Sequence, residues 1–201
     1  GLRMDSPTAA AVRRHAPKID SISGERICDE LTKMLAQRSA AQAACTLADL
    51  GLARHVLPQL FDGPAHYDAG VARLETLAGR QDSSLALGAL LCELPPAEIR
   101  KIARKWGASN DLKDELCYYA KHLGRWANAE SMPLCEFKRL MASPHFGGLM
   151  ALWRAEEKLQ TGRQLHSRRI ARRAKAIPRS KVAPKPLLTG DDLIKMGLTE
   201  G

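Results

Sequence analysis

Aromatic side chains are scarce in this 201-residue chain: three Trp, three Tyr and three Phe make up 4% of it. Sheets draw on aromatic and β-branched residues, so this scarcity beside abundant Ala and Leu leans the composition towards helix. Long apolar runs are missing as well. The longest stretch without a charged side chain is the 14 residues Leu140–Trp153, and Ser143, Pro144, His145, Gly147 and Gly148 interrupt it. A bilayer-spanning helix needs roughly 20 mostly apolar residues, so no membrane span is expected. The start of the chain lacks the basic–apolar–small order of a secretory signal. The five cysteines (28, 45, 92, 117 and 135) are odd in number, far apart, and form no CxxC. That pattern fits neither a disulfide framework nor a zinc site; reduced core thiols in a cytoplasmic protein are expected instead.

Hydrophobic residues at 45% and charged residues at 26% are ordinary for a globular chain long enough to bury a core. The punctuation is helical throughout. Ser23 can cap a helix whose stripe is Ile27, Leu31, Met34 and Leu35, with Arg26 and Glu30 at ion-pair spacing on its polar face. Helical segments follow over Ala40–Leu50, stopping at Gly51, over His55–Phe61 with Pro58 inside, and over Asp68–Ala78. Ser83 or Ser84 opens a nearly all-apolar helix to Leu94, and Pro95-Pro96 starts the next, which runs to Trp106 and Gly107. Asn110–Trp126, Ser131–Ala142 and a helix from Ser143 complete the series. No alternation long enough for a strand occurs, which predicts an all-α fold of helices joined by short turns.

Beyond Gly162 the pattern changes. Leu165 and Ile170 are nearly the only large apolar residues there, so a helix with a thin seam is expected before Ile177-Pro178 and a Pro-containing linker. Eleven basic residues lie between Arg154 and Lys185, opposed only by Glu156 and Glu157, a local excess of +9. The remaining twenty basic and twenty acidic residues cancel, so the whole net charge of +9 sits in this one segment. Arg168/Arg172 and Arg169/Arg173 are like-charge pairs one turn apart, each costing a few tenths of a kcal/mol in an isolated helix. An anionic partner would relieve them. The candidate phosphate-binding residues are Arg163, Arg168, Arg169, Arg172, Arg173, Lys175, Arg179, Lys181 and Lys185. A solvated charged helix and linker is the competing reading, while a membrane-surface helix would need an apolar face that is absent.

Two stretches resemble a known family. Ser21-Ile22-Ser23-Gly24-Glu25-Arg26-Ile27-Cys28-Asp29-Glu30-Leu31, with Leu50-Gly51-Leu52 and Val56-Leu57-Pro58-Gln59-Leu60, resembles the neck of the bacterial tRNA nucleotidyltransferase (CCA-adding)/poly(A) polymerase family. Leu188–Leu198 resembles the start of that family's tail motif, and the segment to Pro17 resembles the helix before the neck. The resemblance implies an enzyme that adds CCA or A residues to the 3′ ends of tRNA or other RNA. Its catalysis uses ATP or CTP and Mg, the metal held by paired aspartates on a strand of an N-terminal head. No such strand or Gly-rich nucleotide loop is present. The expectation is therefore a neck-like helical region (1–80), a helical body (81–162), a basic helix and linker (163–186) and a tail start (187–201). This piece would bind RNA beside the head of its own protein, with no catalytic residue, cofactor or metal of its own. The alternative is a non-enzymatic helical module that binds RNA or protein.

Glu25, Arg26 and Glu30 fall on the neck motif; the implied role is to organise the neck, and an ordinary surface ion-pair set serves equally. Asp191 and Asp192 fall on the tail motif, and a helix N-terminus explains both as well. Where some relatives carry a metal-binding His-Asp pair, this chain offers Cys92-Glu93, so no hydrolase activity is expected. His122 and His145 are read without catalytic partners. Tyr118, Tyr119 and Trp126 could stack on bases, but packing is the expected role.

Overall fold

The computed structural model describes residues 4–62, 66–77, 82–183 and 195–197. Among these are eleven α-helices, four short 3-10 turns and no strand, as the all-α expectation required. The helices are α1 (Ser6–His15), α2 (Gly24–Leu35), α3 (Ala40–Asp49), α4 (Leu52–Val56), α5 (His66–Leu77) and α6 (Ser83–Leu91). Then come α7 (Pro96–Lys105), α8 (Asn110–His122), α9 (Leu134–Met141), α10 (Phe146–Thr161) and α11 (Leu165–Ala176).

Several boundaries follow the anticipated chemistry. Ser23 stands at the N-cap of α2, and Pro96 opens α7 at the position where a missing N–H costs nothing. Other starts moved. Asp82 rather than Ser83 or Ser84 caps α6, its carboxylate accepting from the Ser84 amide at 3.3 Å. Ser109 caps α8 by accepting from the Leu112 amide at 3.2 Å. The helix expected from Ser131 begins only at Leu134 behind Pro133, since residues 128–131 turn tightly instead.

The core is one continuous cluster reaching from Cys28 in α2 to Ile170 in α11. Helix α6 is buried on every side and packs on α2, α5 and α8, which explains its lack of a polar face. Tyr119 of α8 is wedged between Gly88 of α6 and Gly148 of α10. A Cβ at either glycine would collide with its ring or hydroxyl. Small residues there let three helices approach around one aromatic side chain. Of the cysteines, Cys28 and Cys92 are buried, Cys117 is half-buried, and Cys45 and Cys135 are exposed, so the core expectation holds for only part of the set.

Candidate nucleic-acid interface

Gly162 ends α10 in the left-handed conformation (φ 69°) and turns the chain back, so that α11 lies against α10. The first turn of α11 has no capping bond from its own N-cap residue, Gln164. Glu157 of α10 does that work. Its two carboxylate oxygens accept from the amides of His166 (2.7 Å) and Ser167 (2.8 Å). A carboxylate there satisfies two orphan donors and complements the helix dipole. Burial pushes the Glu157 pKa up, but hydrogen bonds from Ser167 and His166 outweigh it and hold the group below the ordinary carboxylate value.

The seam of α11 is Ser167 and Ile170, both buried, flanked by half-buried Arg173 and Ala174. At about 100° per residue, Arg168, Arg172 and Lys175 fall within roughly 60° of one another, opposite Ile170. All three are exposed. Arg169 and Arg173 lie on the flank, and both are engaged within the protein. The Arg169 guanidinium lies 3.5 Å from the Glu130 carboxylate, which also meets the His166 ring at 3.3 Å. Arg173 donates to the backbone carbonyls of Ala129 (2.8 Å), Glu130 (2.9 Å) and Met132 (2.5 Å), and sits 4.4 Å from the Phe137 ring centroid. Its charge closes the 128–132 turn and anchors α11 to the body. The nine basic residues singled out in the sequence are therefore not equivalent. Arg163, Arg179 and Lys181 are exposed along with the outward three, and Lys185 lies outside the described residues.

The two acids in this segment face inward. Glu157 caps α11, and Glu156 accepts from Arg73 of α5 at 2.6 Å. Arg73 also donates to Glu93, so a guanidinium that is only 2% exposed links α5, α6's C-terminal turn and α10. Sequence reasoning missed this cluster; its one signal was an arginine between Val71 and Leu74 on an otherwise apolar stripe. It also accounts for Cys92-Glu93, which stand where some relatives carry a metal-binding pair: Glu93 serves Arg73. The adjacent Cys92 is a buried thiol, pushed up to about 12 by burial. Among the described residues no three His, Cys, Asp or Glu side chains converge to hold a metal.

The neck residues do not converge. Glu25 faces Gly107 and the α7–α8 turn. Arg26 and Glu30 border a groove of about 520 Å³ on the other side of α2, walled by Ile19, Ile22, Ile27, Met34 and Leu47. The expected Arg26–Glu30 pair is not formed; Glu30 meets Lys33 at 2.9 Å instead, one turn in the other direction. The neck is tied elsewhere: Arg13 donates to the Asp49 carbonyl at 2.9 Å, and His55 approaches Asp20 at 3.2 Å. Asp191 and Asp192 lie outside the described residues.

Tyr119 and Trp126 are buried, as packing residues should be, and half-buried Tyr118 donates to the Leu140 carbonyl at 2.8 Å. His122 is also buried, with its ring edge-to-face on Tyr118, and burial lowers its pKa to about 4. His145 lies 3.8 Å from Glu115. No helix among the described residues is long and apolar enough to cross a membrane.

No curated protein matches the chain. Residues 1–62 match the model of a family described as the probable RNA and SrmB-binding site of polymerase A. The matched segment contains the Ser21–Leu31 and Leu50–Leu60 motifs that carried the resemblance in the sequence. Residues 1–62 are thus consistent with the C-terminal, RNA-binding region of the poly(A) polymerase/CCA-adding family.

Proposed function

We propose that this chain is the RNA-holding part of a nucleotidyltransferase that adds CCA or A residues to the 3′ ends of tRNA or other RNA. Nucleotidyl transfer itself, with its Mg and ATP or CTP, belongs to a catalytic head outside these 201 residues. The donor set for a metal is not assembled among the described residues, and no metal-dependent step is assigned to them. One observation carries the reading. The outward face of α11 presents Arg168, Arg172 and Lys175, with Lys158 and Arg163 at the preceding turn, while Glu156 and Glu157 are turned inward. Such a row binds phosphates without reading sequence, and the match of residues 1–62 to a probable RNA-binding site supports RNA as that polyanion.

Titration with a tRNA-like hairpin across salt concentrations tests this. Arg168→Gln with Arg172→Gln should weaken binding and flatten the slope of log affinity against log salt by roughly 1.5, two phosphate contacts' worth. Equal affinity and equal slope would remove α11 from the interface. The parent enzyme is tested in the reading frame upstream, where a strand bearing D-x-D after a Gly-rich segment is expected. The groove beside Arg26 and Glu30 favours a second reading, a protein-docking module. Absence of salt-dependent RNA binding in the intact chain would favour it over the first.

A further inference from the structure

At the C-terminal end of α11 the outward cations lead into a cleft of about 910 Å³. One wall is the α9–α10 turn and the first turn of α10, with Met141, Pro144, Phe146 and Gly147. The other is the end of α11 and the chain beyond it, with Ile177 and Val182. Lys175 and Arg179 line the same cleft, and among the described residues no acidic side chain does. Lys175 therefore belongs both to the phosphate-binding face and to the cleft. Its volume is within the range of sites that enclose a small organic ligand, roughly 300–1,000 Å³.

The walls are mostly apolar, and an aromatic cluster backs one of them. Phe146 is held edge-to-face by Phe137 (5.9 Å between centroids) and Trp153 (6.4 Å), and it remains half-buried. Opposite an apolar slot with a cationic rim, the complementary ligand is a flat ring carrying phosphate. A base within a duplex is stacked and paired, so only an unpaired base can enter such a slot. Base-on-aromatic contact tolerates any sequence, in keeping with phosphate contacts that do not read one.

We propose that this cleft receives an unpaired nucleobase of an RNA strand whose phosphates lie along Arg168, Arg172 and Lys175. The proposal rests on the RNA reading above and makes single-stranded RNA the preferred form. It explains why the cationic face ends on an apolar cleft rather than on solvent.

Gly147 gives a clean test, because a Cβ built there meets no atom within 4 Å. Gly147→Leu should therefore fill part of the cleft without displacing the core, and it exchanges a poor helix former for a good one. Three probes of equal length are compared on the full chain: a single-stranded oligoadenylate, the same backbone without bases, and a blunt RNA duplex. The unaltered chain should bind the oligoadenylate about 5- to 150-fold more tightly than the abasic strand, the range for stacking one base. Gly147→Leu should remove most of that preference and leave the salt slope unchanged. A chain that binds all three probes equally, with a steep salt slope, would overturn the cleft and leave the RNA reading standing. So would a Gly147→Leu variant that melts normally and keeps the full preference. Absence of salt-dependent binding to any probe would overturn both. The abasic comparison uses the unaltered chain, so it decides even if the variant folds poorly.

Discussion

Arg169 and Arg173 sit one turn apart on α11, and so do Arg168 and Arg172. The spacing imposes the same repulsion on both pairs, a few tenths of a kcal/mol. The fold relieves only the first. Glu130 stands beside Arg169, and three carbonyls with the Phe137 ring surround Arg173. Arg168 and Arg172 face solvent, and among the described residues neither has an acidic partner. The acids do not divide: Glu156 and Glu157 both point into the protein. An arginine run thus contains anchors and free cations in alternation. Only the free ones can answer to an external phosphate.

The largest effect should come from the most deeply inward arginine. Arg73→Met leaves Glu156 and Glu93 without their partner in a largely buried site, and should cost about 3–5 kcal/mol in denaturant unfolding. A loss under 1 kcal/mol would show that the cluster is wet and weakly coupled. Arg173→Ala removes three charge-assisted hydrogen bonds and a ring contact, for which roughly 2–3 kcal/mol is expected. The same experiment on Arg168→Gln with Arg172→Gln should move stability by less than about 0.5 kcal/mol in either direction, since nothing in the fold holds them. If Arg173→Ala proved equally silent, the division into anchors and free cations would collapse.

A buried histidine extends the contrast to pH. His122 stays neutral when folded, with its pKa lowered to about 4 by burial and by the nearby Arg125 and Lys121, against 6.5 for an ordinary histidine. The unfolded chain therefore takes up the proton first. Stability should fall as pH drops from about 6.5 towards 4, by about 2 kcal/mol between pH 7 and 4.5. Glu157 adds a second loss at lower pH, below the ordinary carboxylate value, when its bonds to α11 are protonated away. Unfolding of His122→Gln at the two pH values checks the first component, since the variant should lack most of the drop. Parallel pH profiles would assign the acid sensitivity to carboxylates alone.

The legible part of this protein was its periodicity and punctuation. Gly51, Gly107 and Gly162 end helices with φ of 76°, 60° and 69°, and Pro96 begins one, because backbone geometry at those residues is fixed locally. The caps missed at Asp82 and Ser109 share a cause: several polar residues stand in a row, and which one caps depends on the path of the preceding turn. Leu134 differs, since its helix starts behind Pro133 with no side-chain cap. The thin seam expected for the basic helix was real, but Ile170 and Ser167 alone do not explain its docking. Glu157 and Arg173 provide the rest, across sequence separations of 9 or more residues. No local pattern announces such contacts.

By itself, the sequence determined the helical class, the placing of the whole +9 excess within residues 154–185, and the neck motifs that lie in the family match of residues 1–62. Those are properties of composition and of neighbours along the chain. Only the tertiary structure decided which charges are free. A guanidinium is satisfied by whatever acceptors folding brings within about 3 Å, and those acceptors come from distant turns. The same packing that hides Arg73 and Arg173 leaves Arg168, Arg172 and Lys175 on one face, and joins that face to a cleft that no stretch of sequence contains.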